Sequence, residues 1–380
     1  MTLIPGDLSR EARRAPAVAA GPARPRLTVD LTALAENWRA LDALSGTAEA
    51  AAAVKADAYG LGLAPCARTL RDAGAKTFFV AQAGEGVALR EALGPGEETI
   101  YVLNGFVPED AEAFEQAGLT PALISLPQIA AWAQEAARRG AALPAALHIE
   151  TGINRMALTS DELDALRRAP PEGVRFELVM SHLACSDDPA SPMNSRQRGA
   201  FAGRSALARP AAPGARRSLA ATGGVLLGPN YHFEMTRPGI GLYGGLPYAD
   251  ARPVVGLRTP LLQVREIAVG ETVGYGATWR AARPSRIGVA PLGYADGFFR
   301  RQQGARLFLD GRPAPVVGRV SMDMITVDLT DLPPPEPGAL LEALGPNQGP
   351  DALAEASGTC GYEVLTSLGP RYERRHVGGA

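Results

Sequence analysis

From about residue 50, short runs of apolar and β-branched residues alternate with longer Ala/Leu/Glu/Arg stretches whose apolar positions recur with the helical period. The apolar runs predict strands at 51–54, 77–81, 99–103, 120–124, 145–149, 174–180, 218–221 and 231–235. Between them the pattern predicts helices such as 84–93, 108–117, 127–139 and 160–168, several opened by Pro or Ser, as helix starts favour. Eight such units in roughly 200 residues argue for a (β/α)8 TIM barrel over an open doubly wound sheet. Near residue 256 the pattern changes. Short runs at 261–267, 286–291, 305–309, 314–320 and 324–329 follow, separated by Gly, Pro and Asp turns with few helical stretches. The expected class is therefore α/β, with a flexible N-terminal tail (1–26), a barrel domain (27–256) and a mainly β C-terminal domain (257–380). The Pro-rich 333–337 reads as a stiff connector, and 208–217 reads as a loop within the barrel.

Composition narrows the function classes. The chain has 380 residues and a formal net charge of −2, which gives no pull toward nucleic acid or anionic membrane. No apolar run approaches the roughly 20 residues of a membrane helix. Three scattered cysteines, Cys66, Cys185 and Cys360, suggest neither a disulfide scaffold nor a thiolate metal site and fit a reducing cytoplasm. Arg13-Arg14 gives a faint hint of an export signal, but Pro16, Pro22 and Pro25 interrupt any signal-like apolar region. Of the 38 basic residues only Lys55 and Lys76 are lysines. Arginine replaces lysine at most surface sites but cannot form an imine or lose its proton near neutral pH, so a retained lysine is a stronger chemical candidate than usual.

Lys55 follows the apolar strand 51–54 and belongs at the C-terminal end of a barrel strand, where barrel enzymes place catalytic groups. A solvated rim charge is the competing reading. The stretch 237–244, Arg-Pro-Gly-Ile-Gly-Leu-Tyr-Gly, contains a formal Gly-x-Gly-x-x-Gly, yet it lacks the following helix and acidic residue of a dinucleotide site. Placed after the eighth strand, with Thr222-Gly223-Gly224 after the seventh, it suits a phosphate cradle of backbone N–H groups; glycines serving tight turns explain it equally well. His148, His182, His232 and His376 show no metal-ligand spacing, so no metal is expected, and the Gly-x-Ser-x-Gly of a serine hydrolase is missing.

Taken in order, several motifs resemble those of the alanine racemases, fold-type III enzymes that use pyridoxal 5′-phosphate. They are Ala53-Val54-Lys55-Ala56-Asp57-Ala58-Tyr59-Gly60, Thr151-Gly152-Ile153-Asn154-Arg155, Ser181-His182-Leu183-Ala184-Cys185-Ser186-Asp187, Arg237-Pro238-Gly239-Ile240, Val273-Gly274-Tyr275-Gly276-Ala277, Gly293-Tyr294-Ala295-Asp296-Gly297 and Gly318-Arg319-Val320-Ser321-Met322-Asp323. The resemblance implies an isomerase that interconverts L- and D-alanine in the cytoplasm, supplies D-alanine for peptidoglycan, and works as a homodimer with shared active sites. Lys55 would hold the cofactor covalently and act as base on one face of the α-carbon, and Tyr275 from the second subunit would serve the other. Both side chains have reference pKa values near 10, so each must be lowered by roughly 3 to act well at neutral pH. His182 would lie near Tyr275 and stabilise its phenolate. Arg237 would donate to the cofactor's ring nitrogen. Tyr59, Thr222, Gly239 and Ile240 would hold the phosphate. Arg155, Met322 and Asp323 would bind the substrate carboxylate, and Tyr294 would stand at the entrance.

Two positions depart from the family pattern. His148 stands where many members carry a carbamylated lysine seven residues before the arginine, which leaves a neutral imidazole, a bound anion or nothing to position Arg155. Pro370 falls where some members place a phosphate-binding Tyr, for which Tyr372 is a substitute. The alternatives are a broad-specificity racemase, a fold-type III amino-acid decarboxylase and a non-enzymatic cofactor carrier. The decarboxylase matches the Arg237 and Tyr275 segments less well, and the long C-terminal domain argues against the carrier.

Overall fold

In the computed structural model, which describes residues 24–302, 304–336 and 338–379, the chain packs as two units. One comprises 28–256, 348–368 and 374–379; the other comprises 24–27, 257–347 and 369–373. Of the expected N-terminal tail, 1–23 lie outside the described residues, and Arg26 already opens the strand Arg26–Asp30.

The first unit is a barrel. A parallel sheet runs in chain order through Ala52–Ala53, Thr77–Val80, Thr99–Val102, Leu119–Leu123, Leu143–His148, Val174–Met180 and Arg216–Ser218. Most of these strand residues are buried, as in Thr77–Val80, where all four are, because helices cover one face and the barrel interior the other. Glu49–Ala50 extends the first strand and pairs in parallel with Met235–Thr236. Ala51 N–H donates to Thr236 O at 2.9 Å and Ala53 N–H to Pro238 O at 3.0 Å, while Arg237 N–H donates to Ala220 O at 2.8 Å. The eighth strand thus joins the seventh to the first and closes the (β/α)8 barrel.

That eighth strand begins at Met235, later than the expected 231–235. Gly228 and Pro229 bend the chain into the 3-10 turn Pro229–Tyr231, and Phe233 has φ +54°. His232 is buried in this turn with its ring bonded to Ser45 O and Val225 O at 3.2 and 2.9 Å, so its role is structural.

Helices Leu63–Ala73, Ala83–Leu93, Ala111–Gln116, Leu126–Arg139, Ser160–Arg168, Pro192–Ala208 and Thr222–Leu226 follow the first seven strands. Local chemistry sets their ends. Ser160–Arg168 starts with a capping box between Thr159 and Glu162, and Leu126–Arg139 starts at Ser125 and stops at Gly140 in the left-handed conformation. Only the 3-10 turn Ile240–Tyr243 follows the eighth strand. Its outer position is taken by Leu31–Ser45, which precedes the first strand and packs against Leu63–Ala73 and Thr222–Leu226. Asn37 on that helix locks it in place, donating to Leu242 O and Arg252 O and accepting from Arg252 N–H. Two helices not anticipated after residue 256, Pro350–Ser357 and Gly361–Thr366, belong to this unit. Among the described residues no helix is long and apolar enough to cross a membrane.

The second unit is antiparallel. One sheet orders Arg312–Pro315, Arg306–Leu309, Leu340–Leu344 and Val255–Pro260, and another orders Gln263–Ile267, Ser285–Ala290 and Ile325–Asp328. The hairpin turn between Arg306–Leu309 and Arg312–Pro315 is Asp310-Gly311, with φ +49° and +76°, the mirror-image turn that matches strand twist. The expected strand 314–320 instead ends at Pro315 after a single further bridge at Val316, because Gly318 turns the chain with φ +71°.

Trp132 is fully buried against Phe106 and Phe114, with ring centroids 4.7 and 5.5 Å away. Trp132→Ala is expected to lower the unfolding free energy by about 3–5 kcal/mol, read as a fall in the urea midpoint without a change in slope.

Candidate active site

A cavity of about 880 Å³ opens at the carboxyl ends of the barrel strands, and all eight expected site residues carried by this unit line it, together with His148. Lys55 enters it from a strained turn. Directly after the first strand, Ala56, Asp57, Ala58 and Tyr59 have φ of +53°, +56°, +53° and +57°, one turn of left-handed helix built without glycine. Each such residue costs roughly 1–2 kcal/mol, so the surroundings must impose the shape. Glu85 accepts the Ala56 N–H at 2.7 Å, Asp57 accepts the Leu63 N–H at 2.7 Å, and Arg374 donates to Gly60 O at 2.6 Å. At Gly60, φ is +81° and a β-carbon would collide with Leu365 O, so this position admits only glycine. Burial lowers the Lys55 pKa from its ordinary value, Arg155 and Arg237 lower it further, and Glu85 opposes them.

Arg237, on the eighth strand, is 5% exposed. Its guanidinium donates to Ser181 O at 2.6 Å and to the Ser218 hydroxyl, and lies 5.8 Å from the centre of the Phe79 ring. Burial brings it down to about 9 with no neighbouring charge in opposition, so it remains a cation at neutral pH. His148 and His182 are buried in the same field. Desolvation first, then Arg237 and Arg155, lowers each to about 3. Both are neutral at physiological pH. A neutral His182 imidazole can stabilise a phenolate by donating a hydrogen bond rather than by charge. Among the described residues, neither buried ring nitrogen of His148 has a hydrogen-bond partner. Arg155 lies on an exposed loop at the cavity.

At the opposite side, the Thr222 oxygen accepts the N–H groups of Gly239 and Gly241 at 3.0 and 3.2 Å, which leaves its own hydroxyl proton to donate. Tyr59 is stacked on Tyr243 with centroids 4.6 Å apart, and its hydroxyl sits where a β-carbon at Gly239 would be. Burial beside Tyr362 raises the Tyr59 pKa well above its ordinary value, so it is a standing proton donor. At Gly223 a β-carbon would fall 2.6 Å from Ser186 O, so this wall is bare backbone. The donors here suit an anion.

Four expected residues are carried by the second unit. Tyr275 is 71% exposed at the tip of the hairpin Thr272–Val273/Trp279–Arg280, whose Gly274 (φ +77°) runs close against Arg319. Tyr294 and Met322 are also exposed, and their loops are pinned together by Tyr294 N–H to Ser321 O and Ala295 N–H to Met322 O. Asp323 pairs with Arg371 at 2.6 Å, and Arg371 also holds the buried Asp296 at 2.7 Å. The Tyr372 hydroxyl, within the second unit, donates to Asp296 O. Tyr362 also lines the cavity, its ring centroid 6.0 Å from that of Tyr59. Sequence reading missed Tyr362, Glu85, and the Ser181 and Ser218 partners of Arg237. Only Glu85 carried a local signal, the Gln82…Glu85 capping box.

The chain matches the family described as alanine racemase, N-terminal domain, over residues 29–247, and alanine racemase, C-terminal domain, over 254–376. It is 49% identical over 352 residues to an alanine racemase of Cereibacter sphaeroides, covering 92% of this chain and 97% of that protein. Its fold is similar to the crystal structure of alanine racemase from Bartonella henselae with covalently bound pyridoxal phosphate, at TM-score 0.88 and 35% identity, covering 94% of this chain and 100% of that one. It is similar also to the biosynthetic alanine racemase of Pseudomonas aeruginosa, at TM-score 0.86 and 36% identity, covering 93% and 99%. The chain belongs to the alanine racemase family.

Proposed function

We propose that this protein racemises alanine with pyridoxal 5′-phosphate carried on Lys55. The observation that carries the reading is a primary amine of lowered pKa facing, in one cavity, a buried arginine with no counter-charge and a glycine-lined wall of donors. This donor set fits the cofactor: Tyr59, Thr222, Gly239 and Ile240 hold its phosphate, and Arg237, which keeps its protons, donates to its ring nitrogen. Bound there, the cofactor supplies an aldehyde that captures amines and a conjugated ring that accepts the electron pair left by the departing α-proton.

The chain's own groups bind the substrate and move the proton. Lys55 takes or returns the α-proton on one face, helped by burial and two guanidinium groups that favour the free amine. Tyr275 of a second copy of the chain serves the opposite face; its unusual exposure supports that role. Arg155 binds the substrate carboxylate, with the backbone at Met322 and Asp323, and Tyr294 narrows the entrance. His182 offers a neutral hydrogen bond to the tyrosine, and His148 fills the place of a carbamylated lysine as a neutral imidazole. A homodimer acting in the cytoplasm and supplying D-alanine for peptidoglycan completes the proposal.

L-Alanine is expected to lose optical rotation without release of carbon dioxide, faster than serine, lysine or arginine; gas release, or no turnover, would reject the reading. Lys55→Ala and Tyr275→Phe chains, each inactive alone, are expected to regain part of the activity when mixed, whereas a fully active monomer would defeat the shared site. Stability should also depend on pH. The folded chain keeps His148 and His182 neutral down to about 3, while the unfolded chain protonates them below about 6.5. Unfolding therefore gains protons, and stability falls as pH drops from about 6.5 toward 3, by on the order of 1 kcal/mol per pH unit for each histidine. Thermal unfolding of the cofactor-free chain between pH 7 and 4 checks this, with a shallower slope expected for His148→Asn and an unchanged slope counting against it.

A further inference from the structure

The Glu85 carboxylate divides its two oxygens between two tasks. Oε2 accepts the N–H groups of Ala81 and Gln82 at 2.7 and 3.2 Å, the ordinary work of a capping-box glutamate at its own helix start. Oε1 reaches outside that helix to the Ala56 N–H at 2.7 Å, the first amide of the left-handed turn next to Lys55. Asp57, the other carboxylate on the turn, is directed to the Leu63 N–H instead.

We infer that Glu85 is the positioning residue for the Lys55 amine, tying its turn to the end of the second barrel strand and setting a negative charge against the cations around it. The groups that face Lys55 come from four elements: Arg155 on the loop after the fifth strand, Arg237 on the eighth strand, His182 after the sixth strand and Glu85 on helix Ala83–Leu93. His182 is neutral, so Glu85 is the group that opposes the two guanidiniums. Without it the lysine would hold its proton still less firmly and would sit on a turn freed at its first amide. With it, the same anion that favours the ammonium also fixes where the amine stands.

The inference rests on the reading of Lys55 as the cofactor lysine, and the chain's lysine scarcity provides a test that separates the two. Lys55 and Lys76 are the only lysines, so trace acetylation with acetic anhydride across pH 6–11, followed by mass spectrometry, reports each amine separately. In the full-length chain freed of cofactor, Glu85→Gln keeps an acceptor oxygen but loses the charge. Its Lys55 labelling midpoint is expected to move down by about one pH unit, a tenfold change in the protonation equilibrium, while Lys76 stays where it was. Glu85→Asp, which keeps the charge on a shorter stem, is expected to return the midpoint toward wild type. A Glu85→Gln midpoint equal to wild type, with only the unfolding temperature altered, would overturn the inference and leave Glu85 as a helix cap. Adding pyridoxal 5′-phosphate is expected to protect Lys55 from acetylation in the wild-type chain. Absence of protection would overturn the cofactor reading, while the comparison of midpoints would still decide the role of Glu85.

Discussion

A guanidinium sealed inside the barrel unit without a carboxylate is the constraint around which the site is organised. Desolvating such a cation costs several kcal/mol, and its neutral neighbours offset that by accepting its hydrogen bonds rather than with an opposite charge. Ser181 O, the Ser218 hydroxyl and the face of Phe79 receive Arg237, each brought there by a different barrel strand or its end. The positive potential left over is felt by Lys55, His148 and His182. It helps keep His148 and His182 uncharged and loosens the proton on Lys55. Burial, with this charge and that of Arg155 added to it, thus sets the protonation of a lysine and two histidines, and the two cations make the cavity receptive to an anion.

Much of the barrel was legible from apolar runs, because parallel strands buried on both faces read as short hydrophobic segments bounded by turn residues. Strand 174–180 and helix 160–168 matched their expected bounds, and the position of Lys55 just beyond the first strand followed from the same pattern. What escaped was tertiary in origin. Nothing in Ala-Asp-Ala-Tyr announces a left-handed turn; Glu85, Arg374 and the close approach of Leu365 O to Gly60 impose it from elsewhere in the chain. The eighth strand was misplaced because Tyr231, His232 and Phe233 look like strand residues, yet they form a turn anchored by the His232 ring.

The site divides along the same line. Motifs supplied candidate residues, whereas the Ser181 carbonyl, Ser218 and Tyr362 meet Arg237 and Tyr59 through proximity that no spacing rule reports. The hydroxyl of Tyr372, the residue suggested in place of Pro370, is bound to the carbonyl of Asp296 within the second unit. Tyr362 reaches the cavity because helix Gly361–Thr366 returns to the barrel unit between two segments of the antiparallel unit, 257–347 and 369–373.

That detour, together with the displaced helix Leu31–Ser45, has a consequence for biogenesis. The helix that occupies the last outer position of the barrel precedes all of the barrel strands in the chain, and its buried face of Leu31, Leu34, Trp38 and Leu41 meets Leu63–Ala73 early but gains Ile240–Tyr243 and Thr222–Leu226 only when the far end of the barrel has been made. Barrel closure by Met235–Thr236 against Glu49–Ala50 is likewise a pairing between distant parts of the chain, and such pairings form late. During translation the growing chain therefore carries a partly covered apolar helix and an open sheet edge at once, the kind of surface that chaperones hold and that aggregates when they do not.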